Sequence, residues 1–186
     1  GFSLYETAIG PCGIAWGAHG VIGAQLPEGG LRATRARLAR RFPEAREWPP
    51  PPAQQAAIAS ITALIGGERR DLRDIELDMR AVSAFERRVY EAARAIMPGA
   101  TATYGEIANA IGAPEAARAV GAALGRNPFS IIVPCHRVLA AHGKTGGFTA
   151  RGGISAKFRV LAIERAGAEG TLFEDLDFSV RPPRKS

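Results

Sequence analysis

The chemically capable stretch of this 186-residue chain is Ile131-Ile132-Val133-Pro134-Cys135-His136-Arg137-Val138-Leu139. A cysteine is a weak nucleophile as the thiol, and an imidazole or a cation nearby raises its thiolate fraction. His136 and Arg137 follow Cys135 directly, although neighbours along a chain need not meet in space. The chemistry this trio supports is attack by sulfur, with the imidazole taking the proton. Cysteine is also among the residue types most often buried for packing alone. The alternative is therefore a small buried thiol beside a solvated His-Arg pair.

These side chains need elements to hold them. An apolar run bounded by proline reads as a short buried strand that stops at Pro134, which leaves Cys135 at the end of a rigid element. Upstream, Ser83-Ala84-Phe85-Glu86 is a capping-box pattern that opens a helix with Val89, Tyr90 and Ala93 on one face. Residues Thr103 to Ile111 read as a short helix closed by Gly112-Ala113-Pro114, and Glu115 to Leu124 as a second closed by Gly125. Two short helices joined by a tight turn describe a helix-turn-helix. The second is nearly all Ala and Gly, with Arg118 its one long side chain. It reads either as a close-approach core helix or as a thin face that enters a nucleic-acid groove with Arg118 as probe. Downstream, a glycine-rich loop over 143–153 surrounds Phe148, as a flexible wall over a flat ligand or as a plain surface loop. An amphipathic helix, Ile154 to Arg165, carries Lys157 and Glu164, and the tail from Ala166 is expected to pack peripherally.

The first 79 residues have a different character. Short apolar runs broken by Gly10-Pro11 and Gly17-Ala18-His19-Gly20 over residues 1–27 predict a small antiparallel sheet, with Cys12 packed inside it. Leu31 to Phe42 predicts a helix with an Arg-rich solvent face. Pro49 to Pro52 predicts a polyproline II spacer, and Gln54 to Ile65 a second helix stopped by Gly66-Gly67. Asp71 to Asp78 alternates charged and apolar residues, as a half-exposed strand should. The expected fold class is α+β. An N-terminal domain over 1–79 combines a small antiparallel sheet and helices. A mostly helical C-terminal domain over 80–166 holds the helix-turn-helix and a short strand leading to the cysteine, and 167–186 forms a tail.

Apolar content of 46% and charged content of 23% are ordinary for a globular protein. No apolar run approaches the ~20 residues of a bilayer span. The first residues lack the basic-then-apolar plan of a signal peptide, so a cytoplasmic protein is expected, associated with the nucleoid in use. Two cysteines make no disulfide framework, and no CxxC or HxxxH spacing exists for zinc, so no metal is expected. The net charge of +6 is unevenly placed. Residues 1–79 carry nine basic and nine acidic side chains, residues 80–165 twelve against five, and residues 166–186 three against four. The whole excess sits beside Cys135, which points to a polyanion, nucleic acid first, unless the source proteome is simply Arg-rich.

The motif Pro134-Cys135-His136-Arg137-Val138, preceded by Gly125-Arg126-Asn127-Pro128, resembles the O6-alkylguanine-DNA alkyltransferases, also called methylated-DNA–protein-cysteine methyltransferases. Thr103-Tyr104-Gly105-Glu106-Ile107-Ala108 and Ala117-Arg118-Ala119-Val120-Gly121 look like that family's helix-turn-helix, and Lys157 and Glu164 keep its spacing. The opening Tyr5-Glu6-Thr7-Ala8-Ile9-Gly10-Pro11 is similar to its N-terminal sheet. The likeness is strong over 80–165 and weaker over 1–79.

The resemblance implies a suicide repair reaction on double-stranded DNA, acting on O6-alkylguanine or O4-alkylthymine after the base flips out of the stack. Cys135 would accept the alkyl group. His136, reached through a water and oriented by Glu164, would take the thiol proton, with Tyr104 and Lys157 completing the catalytic set. Arg118 would fill the vacated stack, and Tyr104, Ala117, Ala119, Gly121 and Arg126 would contact DNA. Asn127, Val138, Phe148 and Thr149 would form the substrate pocket. No cofactor is implied, and a monomer is expected. Phe148 stands where the family usually has Tyr, and the loop from it to Lys157 is two residues longer than usual. A binding-only relative, a helix-turn-helix regulator and a thiol hydrolase are the competing classes. The first lacks the cysteine this chain has, the second leaves Pro134 to Arg137 unexplained, and the third needs an oxyanion hole the sequence does not show.

Overall fold

The computed structural model describes residues 1–140 and 153–164. The chain opens with β1 (Phe2–Tyr5), β2 (Cys12–Gly17) and β3 (Gly20–Gln25), an antiparallel sheet in that order. Tyr5 faces Cys12 in the first pair and Gly17 faces Gly20 in the second, with a register shift at Ala15/Trp16. The hairpin closes through Ala18-His19, and Gly20 supplies the positive φ of 112°. Helix α1 (Leu31–Arg41) lies across the sheet because two strand positions are glycine. A Cβ at Gly13 would collide with Leu38, and one at Gly23 with the ring of Phe42.

Helix α2 (Pro52–Ile65) begins two residues before Gln54, since proline is tolerated in a first helical turn whose N–H groups have no partner anyway. Its face of Ala57, Ile61, Leu64 and Ile65 is buried. The segment 71–78 is not the strand that its alternation predicts. Asp71 accepts from the Arg73 N–H at 3.0 Å, and Asp78 from the Arg80 N–H at 3.1 Å. Such local Asp-to-backbone bonds compete with a ladder. Only Leu77 bridges, to Val21 of β3, while Arg94 gathers the carbonyls of Leu72, Arg73 and Ile75 at 3.1, 2.6 and 3.0 Å.

Helix α3 (Ala84–Arg94) has the capping box its sequence announces, between Ser83 and Glu86. β4 (Ala102–Thr103) leads into α4 (Tyr104–Ala110), which carries a second capping box, between Thr103 and Glu106. A 3-10 turn at Pro114–Ala116 then precedes α5 (Ala117–Gly125). β5 (Val138–Leu139) pairs in parallel with β4, and α6 (Gly153–Glu164) closes the described chain. One packed cluster takes in Ile14 and Ile61 from the first half with Val89, Val120, Phe129 and Cys135 from the second. Among the described residues no helix is long and apolar enough to cross a membrane.

Candidate active site

The segment before Cys135 is a clamped turn where the sequence predicts a strand. Ile131 sits at φ 74°, and Ser130 bridges Val133 across that corner. A β-branched residue with positive φ cannot continue a strand. Pro134, at φ −79° and ψ 65°, is the centre of an inverse γ-turn closed by the Cys135 N–H on the Val133 carbonyl at 2.8 Å. Cys135 thus begins a 3-10 turn, Cys135–Arg137, and the strand β5 follows it.

Asn127 holds both ends of this turn. Its Nδ2 donates to the Val133 carbonyl at 2.9 Å, and its Oδ1 accepts from the Phe129 N–H at 2.9 Å. The Val133 N–H returns to the Phe129 carbonyl at 2.8 Å. Asn127 is buried with both polar atoms of its amide bonded to backbone, the arrangement that makes a buried side chain rigid.

The two residues that follow Cys135 belong to a buried electrostatic unit. His136 Nε2 is 3.0 Å from Glu164 Oε1. Arg137 donates from Nε to Oε2 at 2.8 Å and from a terminal nitrogen to Oε1 at 2.8 Å, and its other terminal nitrogen reaches the Ile96 carbonyl at 2.6 Å. Burial works against the Glu164 charge, yet the bonds and charges of His136 and Arg137 hold its carboxyl at about 2. With its carboxyl held ionised, Glu164 accepts from His136 Nε2 and so fixes the tautomer and the orientation of the imidazole. Arg137, which the sequence offers only as a cation near the cysteine, completes this unit as the partner of Glu164. Its partner lies 27 residues away on α6, so nothing in local spacing reveals it.

Tyr104 stands at the start of α4, half-buried, with its ring over Gly121 of α5. Burial first, and the charge of Cys135 second, pushes its hydroxyl up from the ordinary value. On α5, Val120, Ala123 and Leu124 are buried while Arg118 and Ala119 are exposed. The Tyr90 hydroxyl donates to the Ala123 carbonyl at 3.1 Å from beneath. The core reading of this Ala-Gly helix thus holds for one of its faces, and the other face, with Arg118, is exposed. Ala117 and Gly121 are intermediate in exposure, and exposed Arg126 pairs with Glu86 at 2.9 Å. Val138 is buried in β5. Phe148 and Thr149 lie outside the described residues, and Lys157 falls on the backbone of α6 with its side chain outside them.

Residues 84–166 match the family model of the 6-O-methylguanine DNA methyltransferase DNA-binding domain. A methylated-DNA–protein-cysteine methyltransferase of Mycobacterium tuberculosis is 47% identical over 178 residues, covering 93% of this chain and 98% of that one. The solved structure of Mycobacterium tuberculosis OGT in complex with DNA superposes with a TM-score of 0.70 at 38% identity, over 89% of this chain and 92% of that one. The O6-methylguanine-DNA methyltransferase of the archaeon Pyrococcus kodakaraensis gives 0.68 at 29% identity, over 88% and 99%. With a buried Cys-His-Glu-Arg constellation on one side and a relative matched over nearly its whole length on the other, this chain belongs to the methylated-DNA–protein-cysteine methyltransferase family.

Proposed function

We propose that the protein repairs DNA directly, moving the alkyl group from O6 of guanine to Cys135 in a single irreversible transfer. The observation that carries this reading is the His136–Glu164 contact of 3.0 Å beside a cysteine held by the Pro134 turn. His136 takes the thiol proton through a water, with Glu164 and Arg137 fixing its orientation. The sulfur attacks the alkyl carbon, the carbon–O6 bond breaks, and its electron pair leaves with the guanine, which Tyr104 helps to protonate. A thioether is not a leaving group in water, so the cysteine is not restored. A base in the stack is out of reach of this sulfur, so the reaction requires flipping. Arg118 enters the vacancy, Ala117, Ala119 and Gly121 let the backbone approach, and Arg126 meets phosphate.

In this reading residues 80–166 carry recognition and chemistry and 1–79 support them. Asn127, Val138, Phe148 and Thr149 shape the pocket, and Lys157 belongs with Tyr104 to the catalytic set. The protein works as a monomer in the cytoplasm, on duplex DNA and without a cofactor. The test is intact-mass analysis after incubation with excess duplex bearing O6-methylguanine. One methyl group on the peptide that contains Cys135, and no more than one lesion removed per molecule, is expected. Continued turnover, or a methyl group on any other residue, overturns the reading.

A further inference from the structure

The clamped turn that presents Cys135 is held from outside by the N-terminal half, at a point the reaction scheme does not use. Arg41, the last residue of α1, donates from a terminal nitrogen to the Asn127 carbonyl at 3.0 Å. Beside it, the Ala24 N–H of β3 donates to the Pro128 carbonyl at 2.8 Å, and Ala24 bridges Phe129 in parallel. Arg41 is only partly exposed, with its guanidinium 5.7 Å from the Phe42 ring centroid. No carboxylate pairs with it among the described residues, unlike Arg35 on Glu47 or Arg37 facing Glu28. A guanidinium drawn from water to meet a single carbonyl is placed there at a cost, because the charge loses hydration without an anionic partner.

From Arg41 the bonds run in a continuous chain to the sulfur-bearing residue. The Asn127 carbonyl takes the Arg41 donor, the Asn127 amide takes the Val133 carbonyl, and that same carbonyl takes the Cys135 N–H. A peptide plane fixed on one side by Arg41 and on the other by its own side chain has little freedom to rock. We infer that Arg41 is a positioning residue for alkyl transfer, setting the Cys135 turn from the N-terminal half through the carbonyl of Asn127. It touches neither substrate nor sulfur. Its effect is to keep the thiolate within the narrow geometry that in-line attack requires, where small misplacements are amplified in rate.

This inference rests on the alkyl-transfer reading, and the experiment separates the two. Transfer from O6-methylguanine duplex is followed under single-turnover conditions over a range of DNA concentrations, giving a limiting rate and a half-saturating concentration. Arg41→Met keeps the apolar stem over Phe42 and removes every donor. Its limiting rate is expected to fall about tenfold, while half-saturation stays within about twofold of the parent, since geometry acts on the step and not on DNA capture. Arg41→Lys, which restores one donor, should regain at least half of the lost logarithm of rate. Arg41→Met at the parental rate overturns the inference. So does a rise in half-saturation that accounts for the whole loss, because Arg41 would then be a phosphate contact. If Arg41→Met does not fold, Arg41→Lys decides: a lowered limiting rate at unchanged half-saturation supports positioning, and parental values overturn it. A parent that transfers nothing to Cys135 defeats the functional reading itself.

Discussion

Arg137 grips Glu164 with two nearly parallel bonds of 2.8 Å, and the carboxylate so held is the one that contacts His136. Both side chains are buried. A pair of this kind is weak evidence of net stabilisation as long as it is intact, but removing one partner strands the other charge in the core. Arg137→Met is therefore expected to cost about 3–5 kcal/mol of folding free energy, read from urea unfolding at neutral pH. Arg137→Lys should recover only part of this, because an ammonium cannot supply the planar fork. A loss well below that range would mean that water reaches Glu164.

The same unit fixes an acid limit. Glu164 has a folded-state carboxyl at about 2 against an ordinary 4.5, depressed by its two partners in spite of burial. A depressed value means the stabilisation is fully present above about pH 4.5 and is lost as pH falls toward 2. The amount at stake is on the order of 3 kcal/mol, at ~1.4 kcal/mol per pH unit of separation. Urea midpoints of the parent should drop through this window, and those of Glu164→Gln should start lower and fall less steeply. Parallel curves for the two proteins would show that other carboxylates set the acid limit.

Thr103 joins two functions in one residue. It caps α4, accepting from the Glu106 N–H at 3.1 Å, and it pairs with Leu139 across the β4–β5 ladder two residues after Arg137. The helix-turn-helix is thereby anchored to the strand that leaves the active-site turn. Thr103→Ala is expected to cost about 1 kcal/mol in chemical denaturation, as cap removals do. The comparison is Ser83→Ala, which removes the equivalent bond at α3 and should cost a similar amount. An unchanged midpoint for Thr103→Ala would mean that water caps α4 equally well.

What was legible from the sequence was local in its cause. The capping box at Ser83, the helix ends at Gly66 and Gly125 and the hairpin at Ala18-His19 are written in neighbouring residues, and the structure has them. Where side chains claimed the backbone groups, the pattern misled. Ile131-Ile132-Val133 has the composition of a strand, but Asn127 draws the Val133 carbonyl into a turn and leaves Ile131 at positive φ. The segment 71–78 has the alternation of a strand, but its Asp side chains and Arg94 claim the backbone groups a ladder would use. Arg41 and Arg137 act through partners 86 and 27 residues away, which no spacing rule reaches. Cys135 and His136 were recognisable because the chemistry sits in residue types, whereas the support comes from folding.

The charge distribution leads to a prediction about capture. Residues 80–165 hold twelve basic against five acidic side chains, and Arg118 on the outer face of α5 is exposed. Affinity for undamaged duplex should fall steeply and linearly in log–log terms as salt is added, because neutralised phosphates release counterions. In the proposed function Arg126, tied to Glu86 at 2.9 Å, exchanges that partner for phosphate, so Glu86→Gln should tighten binding modestly at low salt. A flat salt response would remove nucleic acid as the polyanion this face serves.

The proposed function gives Arg118 to binding and Cys135 to chemistry, so two substitutions should separate them. Cys135→Ser leaves α4 and α5 unchanged and exchanges a polarisable thiolate for a hydroxyl that stays protonated. It is expected to bind O6-methylguanine duplex about as well as the parent and to transfer nothing. Arg118→Ala keeps Cys135 with its His136–Glu164 contact of 3.0 Å and removes the exposed side chain from α5. Extruding a base costs a few kcal/mol, and without the residue that offsets it, repair of duplex should slow by roughly one to three powers of ten, at ~1.4 kcal/mol per decade. Free O6-benzylguanine needs no extrusion, so its rate of reaction with Arg118→Ala should match the parent's. The measurement is the alkylation rate of each variant on both substrates. Equal losses on duplex and free base would make Arg118 a folding residue and remove α5 from the DNA-reading surface.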